Sequence, residues 1–201
     1  MIAIMAQQLN AKTLLLATTL LLFCTDAGGA VGTQAEAFIA DRRSSTDLQQ
    51  QHDHLAAMAG RYTLSSTVWF SPDVDPVDTE LAATRSIVLG GRVLELHVEG
   101  LAEVNDAFEG RGFTGYDTSL QQHWYVWMDT TGTGVATLHG RLAADGTGQL
   151  EGSVTNRIVG QSTPLRVQIH REGNAEIHDY FSPDMGGEEA RWMRLVYRPL
   201  R

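Results

Sequence analysis

Only one cysteine, Cys24, occurs in the 201 residues. An intramolecular disulfide is therefore impossible, and a metal centre built from several thiolates is excluded. Lysine is as scarce. Lys12 stands alone among 15 basic residues, which leaves 14 arginines against 24 acidic groups and a formal net charge of -9. A nucleic-acid or anionic-membrane partner needs a basic face to neutralise phosphates, and no basic stripe is present. Charged residues make up 19 % and hydrophobic ones 43 %, too apolar a balance for a disordered chain. No G-x-S-x-G occurs, so a serine nucleophile elbow is absent. No G-x-G-x-x-G opens a helix, so a dinucleotide cradle is absent too. The longest apolar run, residues 13–23, is too short to span a bilayer.

That run has a meaning of its own. Lys12 precedes TLLLATTLLLF, and small residues follow as Gly28-Gly29-Ala30 and Ala35-Glu36-Ala37. A basic start, a short apolar stretch and a small-x-small site in that order read as a secretory signal peptide over residues 1–37. Cleavage is expected after Ala30 or Ala37. Acylation of Cys24 is disfavoured by the bulky Phe23 before it. Loss of 1–37 removes Lys12, Asp26, Glu36 and the sole cysteine, and takes the net charge from -9 to -8. The mature protein is expected in the periplasm or secreted, with no stable membrane span. Its core must hold the fold without covalent help.

Residues 38–46 are polar and read as a linker, with a single domain over 47–201. A short helix is expected over 47–59, capped by Ser45 or Thr46 and stopped at Gly60. His52 and His54 lie two apart on it, on different faces, and read as solvated histidines. After Gly60 the period changes to two, with turn residues every eight to fourteen positions. Ten strands are expected: 61–71, 80–89, 92–99, 108–117, 122–130, 134–142, 149–156, 163–172, 175–182 and 191–198. The five prolines, at 72, 76, 164, 183 and 199, fall near their ends. No crossover helix interrupts them. The pattern implies an all-β, up-and-down antiparallel barrel, with a two-sheet sandwich as its rival. Ten strands are more than side chains need to plug the interior, so a cavity is expected.

The alternation also assigns faces. Tyr62, Leu64, Ser66, Val68 and Phe70 are expected inside, as are Leu94, Leu96 and Val98, with Glu95, His97 and Glu99 outside. Gly110 and Gly112 share a face with Phe108 and Tyr116. Their missing side chains either open a pocket or let the wall bend.

The blocks LGGRVLELHVEG, FEGRGFTGYD, WYVWMDTTGTG and RWMRLVYR occur in this order. They resemble the bacterial family called domain of unknown function 1579, over roughly residues 52–198. The resemblance implies a lipocalin-like, calycin-type barrel. It is carried most specifically by Phe108 to Asp117. In barrels of that type an aromatic residue plugs the closed end and an arginine of the last strand stacks over it. The resemblance places Tyr62 and Arg194 in those roles. It implies no particular reaction.

The remaining polar groups give the site candidates. Glu95, His97 and Glu99 alternate along one strand, but their outer members are about 13 Å apart by strand rise, so no metal site is expected. His123, Tyr125, Trp127 and Asp129 share one face of their strand. They form either a stacking surface for a planar ligand or a core aromatic cluster with Asp129 capping the next turn. Glu109 and Arg111 pair with each other or grip a carboxylate. The expected function is binding of a small apolar or aromatic molecule inside the barrel, by Tyr62, Arg111, Tyr125, Trp127, Asp129 and Arg194. No cofactor is called for; the glycine-tryptophan signature of haem-seating barrels is absent. The alternative is a small isomerase, cyclase or hydrolase using His139 or His178 with Asp129 or Glu109 as acid–base pair. A third reading is an interaction module using the outer wall or the helix.

Overall fold

Residues that alternate in the sequence alternate across the wall of a closed barrel. The computed structural model describes residues 30–71, 73–101, 107–156, 160–184 and 187–200. Lys12, the apolar run and Cys24 of the expected leader lie outside the described residues. Residues 38–46, read as a linker, lie in a helix, α1 (Ala30–Thr46), in a unit that ends at Asp47.

The second unit begins at Leu48. It holds a short helix, α2 (Gln50–Ala57), and ten strands: β1 (Gly60–Val68), β2 (Val77–Val88), β3 (Val93–Gly100), β4 (Glu109–Asp117), β5 (Gln122–Asp129), β6 (Ala136–Leu142), β7 (Gly148–Asn156), β8 (Gln161–Glu172), β9 (Ala175–Pro183) and β10 (Glu189–Pro199). Each strand pairs antiparallel with its sequence neighbours, and β1 closes on β10. The result is a closed ten-stranded up-and-down barrel with no free edge. Among the described residues no helix is long and apolar enough to cross a membrane.

Register fixes the inner face. Leu64 lies opposite Tyr197 and Leu81, Ala83 opposite Val98, Leu96 opposite Gly112, and Leu138 opposite Tyr125. Leu138, Leu150, Leu165, Val167 and Tyr180 form one buried cluster; Leu64, Ala83, Leu96, Val98 and Tyr197 form another. Burying each large apolar side chain contributes about 1.5–3 kcal/mol. Phe70 does not join them. β1 ends at Val68, and Phe70 is 74 % exposed in the following loop.

The glycines of β4 do not leave a void. A Cβ on Gly110 would sit 2.3 Å from the Trp127 ring, and one on Gly112 would sit 3.0 Å from the Tyr125 hydroxyl. The large side chains of β5 fill the space that β4 vacates, a cross-strand aromatic–glycine fit. His123, Tyr125, Trp127 and Asp129 are therefore the inward set. Gly115 does the same on the outer face for Trp124, at 2.2 Å.

Helix α2 packs on β2, β3 and β4 and covers one end of the barrel. It is shorter than expected, starting after Gln49. His52 is not solvated. It is 5 % exposed, its Nδ1 accepts the Gln49 amide at 3.0 Å, and its ring meets Tyr116 edge-on at 6.0 Å. Closing the first turn on itself and packing on β4 draws that histidine inward.

A candidate polar site at the helix-capped end

One buried charge pair interrupts the apolar interior. Arg85 on β2 and Glu176 on β9 are each 5 % exposed. The guanidinium donates to Glu176 through both terminal nitrogens, at 2.6 and 3.1 Å. Two strands, β1 and β10, separate β2 from β9 in the wall. Arg85 bridges them by lying over the aromatic rings they supply, 4.8 Å from the Tyr62 centroid and 4.4 Å from that of Tyr197. A desolvated cation on an aromatic face is worth about 2 kcal/mol. Tyr62 is itself fixed, because its hydroxyl donates to the Met58 carbonyl at 2.7 Å.

A third group completes the cluster. His178, also on the inner face of β9, places Nε2 2.6 Å from Glu176 Oε1. Burial pushes the Glu176 carboxyl up, but the His178 hydrogen bond and the Arg85 charge hold it far below the usual carboxylate range. An ionised carboxylate only accepts, so Nε2 carries the hydrogen and Nδ1 is the atom left to a ligand. Arg171 approaches Glu176 from the rim at 3.6 Å. Burial likewise pushes the phenols of Tyr125 and Tyr180 well up, and that of Tyr197 up to about 12. All three stay protonated and able to donate.

These groups face a cavity of about 40 Å³. Arg85, Glu176, His178, Tyr125, Tyr180 and Thr114 bring its polar atoms, and leucine, valine and isoleucine side chains of β3, β7 and β8 bring the rest. A water needs roughly 10–15 Å³ on this measure, so the space suits about two or three waters or a few heavy atoms. A cavity that admits benzene is about 150 Å³. Met58 and Gly146 form part of the wall, and a Cβ on Gly146 would lie 2.8 Å from the Met58 sulfur. Movement of that flexible thioether is the least costly way to enlarge the space. Ten strands do make a wide barrel, but leucine, valine and isoleucine side chains, with Tyr180, Tyr197 and Trp127, pack its interior.

Of the candidates named from sequence, Tyr62, Tyr125 and His178 come together here. Trp127 faces in but packs over the β4 glycines and donates to Asp129 at 2.9 Å. Asp129 lies at the far end of β5, where it accepts the Thr131 amide at 2.8 Å and caps the turn. Arg194 does not stack on Tyr62. The register pairs it with Thr67 on the outer face, where it grips Asp179 at 2.7 and 2.8 Å. Arg85 takes the role assigned to it. Arg111 also faces out, bonded to Glu95 and Glu109 at 3.1 Å each, which removes Arg111 and Glu109 from the interior. His139 is exposed on the outer wall, since β6 turns Leu138 and Gly140 inward. Asp129 and Glu109 therefore do not partner His178; Glu176 does. His97 lies outside as expected, 3.2 Å from Glu109. Among the described residues no group of three histidine, cysteine or acidic side chains is placed to hold a metal.

Arg85 and Glu176 were not singled out from sequence. One signal was available: Glu176, His178 and Tyr180 alternate, so a single inward residue implies the other two.

No curated protein matches this chain. Among solved structures, the barrel is similar to the protein titled "Crystal Structure of Rv2717c from M. tuberculosis", with 14 % identity and a TM-score of 0.52. That match covers 77 % of this chain and 100 % of the other, and at this identity it speaks for the fold alone. The family described as protein of unknown function (DUF1579) matches residues 47–199, the whole barrel and its capping helix. The match takes in Phe108–Asp117 and the other blocks that resemble the family, and the chain belongs to the DUF1579 family.

Proposed function

We propose that this protein is an exported, lipocalin-like barrel that binds a small, mostly apolar or aromatic molecule at the helix-capped end of its interior. The observation that carries the reading is the Arg85–Glu176–His178 cluster beside a cavity otherwise lined by apolar side chains. A buried ion pair is commonly no more stable than apolar residues of the same volume. Its placement against an interior cavity favours a binding role. A ligand of this class keeps its apolar body against β3, β7 and β8, and offers one hydroxyl or amide to His178 Nδ1 or the Tyr125–Tyr180 pair. Entry displaces Met58. The N-terminal order of Lys12, an apolar run and small residues supports export.

The test is calorimetric titration with phenol, p-cresol and toluene. The phenols are expected to bind and toluene to bind more weakly. His178→Phe, which removes the acceptor, is expected to abolish the difference. Equal binding of all three, or none by any, refutes the reading. Mass analysis of the exported chain, expected to begin after Ala30 or Ala37, tests the export.

One observation favours a second reading at the same site. A histidine hydrogen-bonded to an ionised carboxylate is the arrangement of a general base. An isomerase, cyclase or hydrolase would use His178 as base and Glu176 to orient it. The expected signature is turnover that falls steeply in Glu176→Gln while ligand affinity changes little.

A further inference from the structure

The opposite end of the barrel carries a different surface. The loop after β1 and the ends of β7–β10 enclose an open groove of about 1340 Å³. We propose that this groove binds an amphipathic organic cation, an alkyl chain ending in an ammonium group. Three independent features support this.

The first is apolar exposure. Phe70 is 74 % and Val74 56 % exposed, and both line the groove beside Trp69 and Phe181. Large side chains gathered on one loop in this way mark a contact surface rather than a solvated one.

The second is charge. Asp73, Asp75 and Asp184 line the same groove. Arg191 is the basic side chain among the described residues that line it, and it is engaged by Asp179 at 3.3 Å. The whole chain carries -9, so the long-range field draws cations and repels anions. An anionic amphiphile meets three carboxylates, and a neutral one gains nothing from them.

The third is a precedent within the groove. The Arg191 guanidinium lies over the Trp69 ring, 4.6 Å from its centroid. The aromatic wall therefore already seats a cation on its electron-rich face. An ammonium headgroup finds the same chemistry on Phe70, in a groove that Asp73, Asp75 and Asp184 also line.

This site is separate from the interior cavity. Trp127, Leu138, Leu165 and Leu195 fill the barrel between them, so its occupant need not enter the lumen.

The experiment compares three amphiphiles of one chain length below their micellar concentrations: dodecyltrimethylammonium, dodecyl sulfate and dodecyl maltoside. Binding is read by tryptophan emission, to which Trp69 and Trp192 report from the groove, and by calorimetry. The cation is expected to bind at least tenfold tighter than the other two and to weaken with added salt. Asp73→Asn with Asp75→Asn is expected to weaken it about three- to tenfold, and Phe70→Ala by about threefold or more. These are exposed loop positions, so each variant should fold, and its melting temperature checks that. Equal affinity for all three amphiphiles, or a double asparagine variant with unchanged affinity, overturns the proposal.

Discussion

Replacing Glu176 by glutamine exchanges one carboxylate oxygen for an amide nitrogen and leaves a full positive charge buried. Arg85 is 5 % exposed, and among the described residues Glu176 is the carboxylate it pairs with. Breaking a buried pair by removing one partner costs about 3–5 kcal/mol, most of it the desolvation of the charge left behind. For a chain of this length each kcal/mol moves the melting temperature by about 2–4 °C, so Glu176→Gln should melt about 6–20 °C lower. Removing both charges together, as Arg85→Met with Glu176→Met, should cost less than Glu176→Gln alone, because no ion remains to be desolvated. The effect also has a sign in pH. The Glu176 carboxyl is held far below its ordinary value in the fold, burial opposing and His178 and Arg85 prevailing. Its contribution is complete above the unfolded value of about 4.3 and fades as pH falls below it. Wild type should therefore lose stability between about pH 5 and 3 faster than Glu176→Gln does. Urea unfolding followed by tryptophan emission measures all of this. A Glu176→Gln variant within about 1 kcal/mol of wild type would show that water, not the protein, satisfies Arg85.

Gly110→Ala should destabilise the barrel by about 1–3 kcal/mol or more, since its Cβ would enter the Trp127 ring at 2.3 Å. Trp127→Leu in the same chain should recover part of that loss, and a double variant no better than the single one contradicts the packing. His123 is 4 % exposed and accepts the Leu142 amide at Nδ1, and burial, then the nearby charges of His52 and His54, lower its pKa. A histidine kept neutral by the fold binds fewer protons than when unfolded, so it adds stability above about pH 6.5 that is lost as pH falls. His123→Asn, which keeps an acceptor but does not titrate, should flatten the stability slope between about pH 7 and 5. An unchanged slope assigns it to another group.

The wall of this barrel was legible because its information is local. Strand, turn and facing follow from alternation and from glycine, asparagine and aspartate at the turns. Nine of the ten strands begin within two residues of the expected position, and β2 begins three residues early. The site was less legible because it is assembled across the lumen. Arg85 and Glu176 are 91 positions apart, and two strands lie between them. The alternation of Leu81, Ala83 and Ile87 puts Arg85 on the inner face of β2, but nothing local names the carboxylate that pairs with it. The arginine expected to cover Tyr62 was sought on the last strand, yet Arg194 has the wrong parity, and one residue of slip reverses a side chain completely. The bulge between Arg191 and Met193 sets that parity, and no turn residue announces it. The partner of His178 is a different matter. In EIHDY the alternation already places Glu176, His178 and Tyr180 on one face, yet the acid–base partner of His178 was sought at Asp129 or Glu109 on other strands. A carboxylate two residues from a histidine on a strand is a better dyad candidate than one beside it, since only the former shares its face.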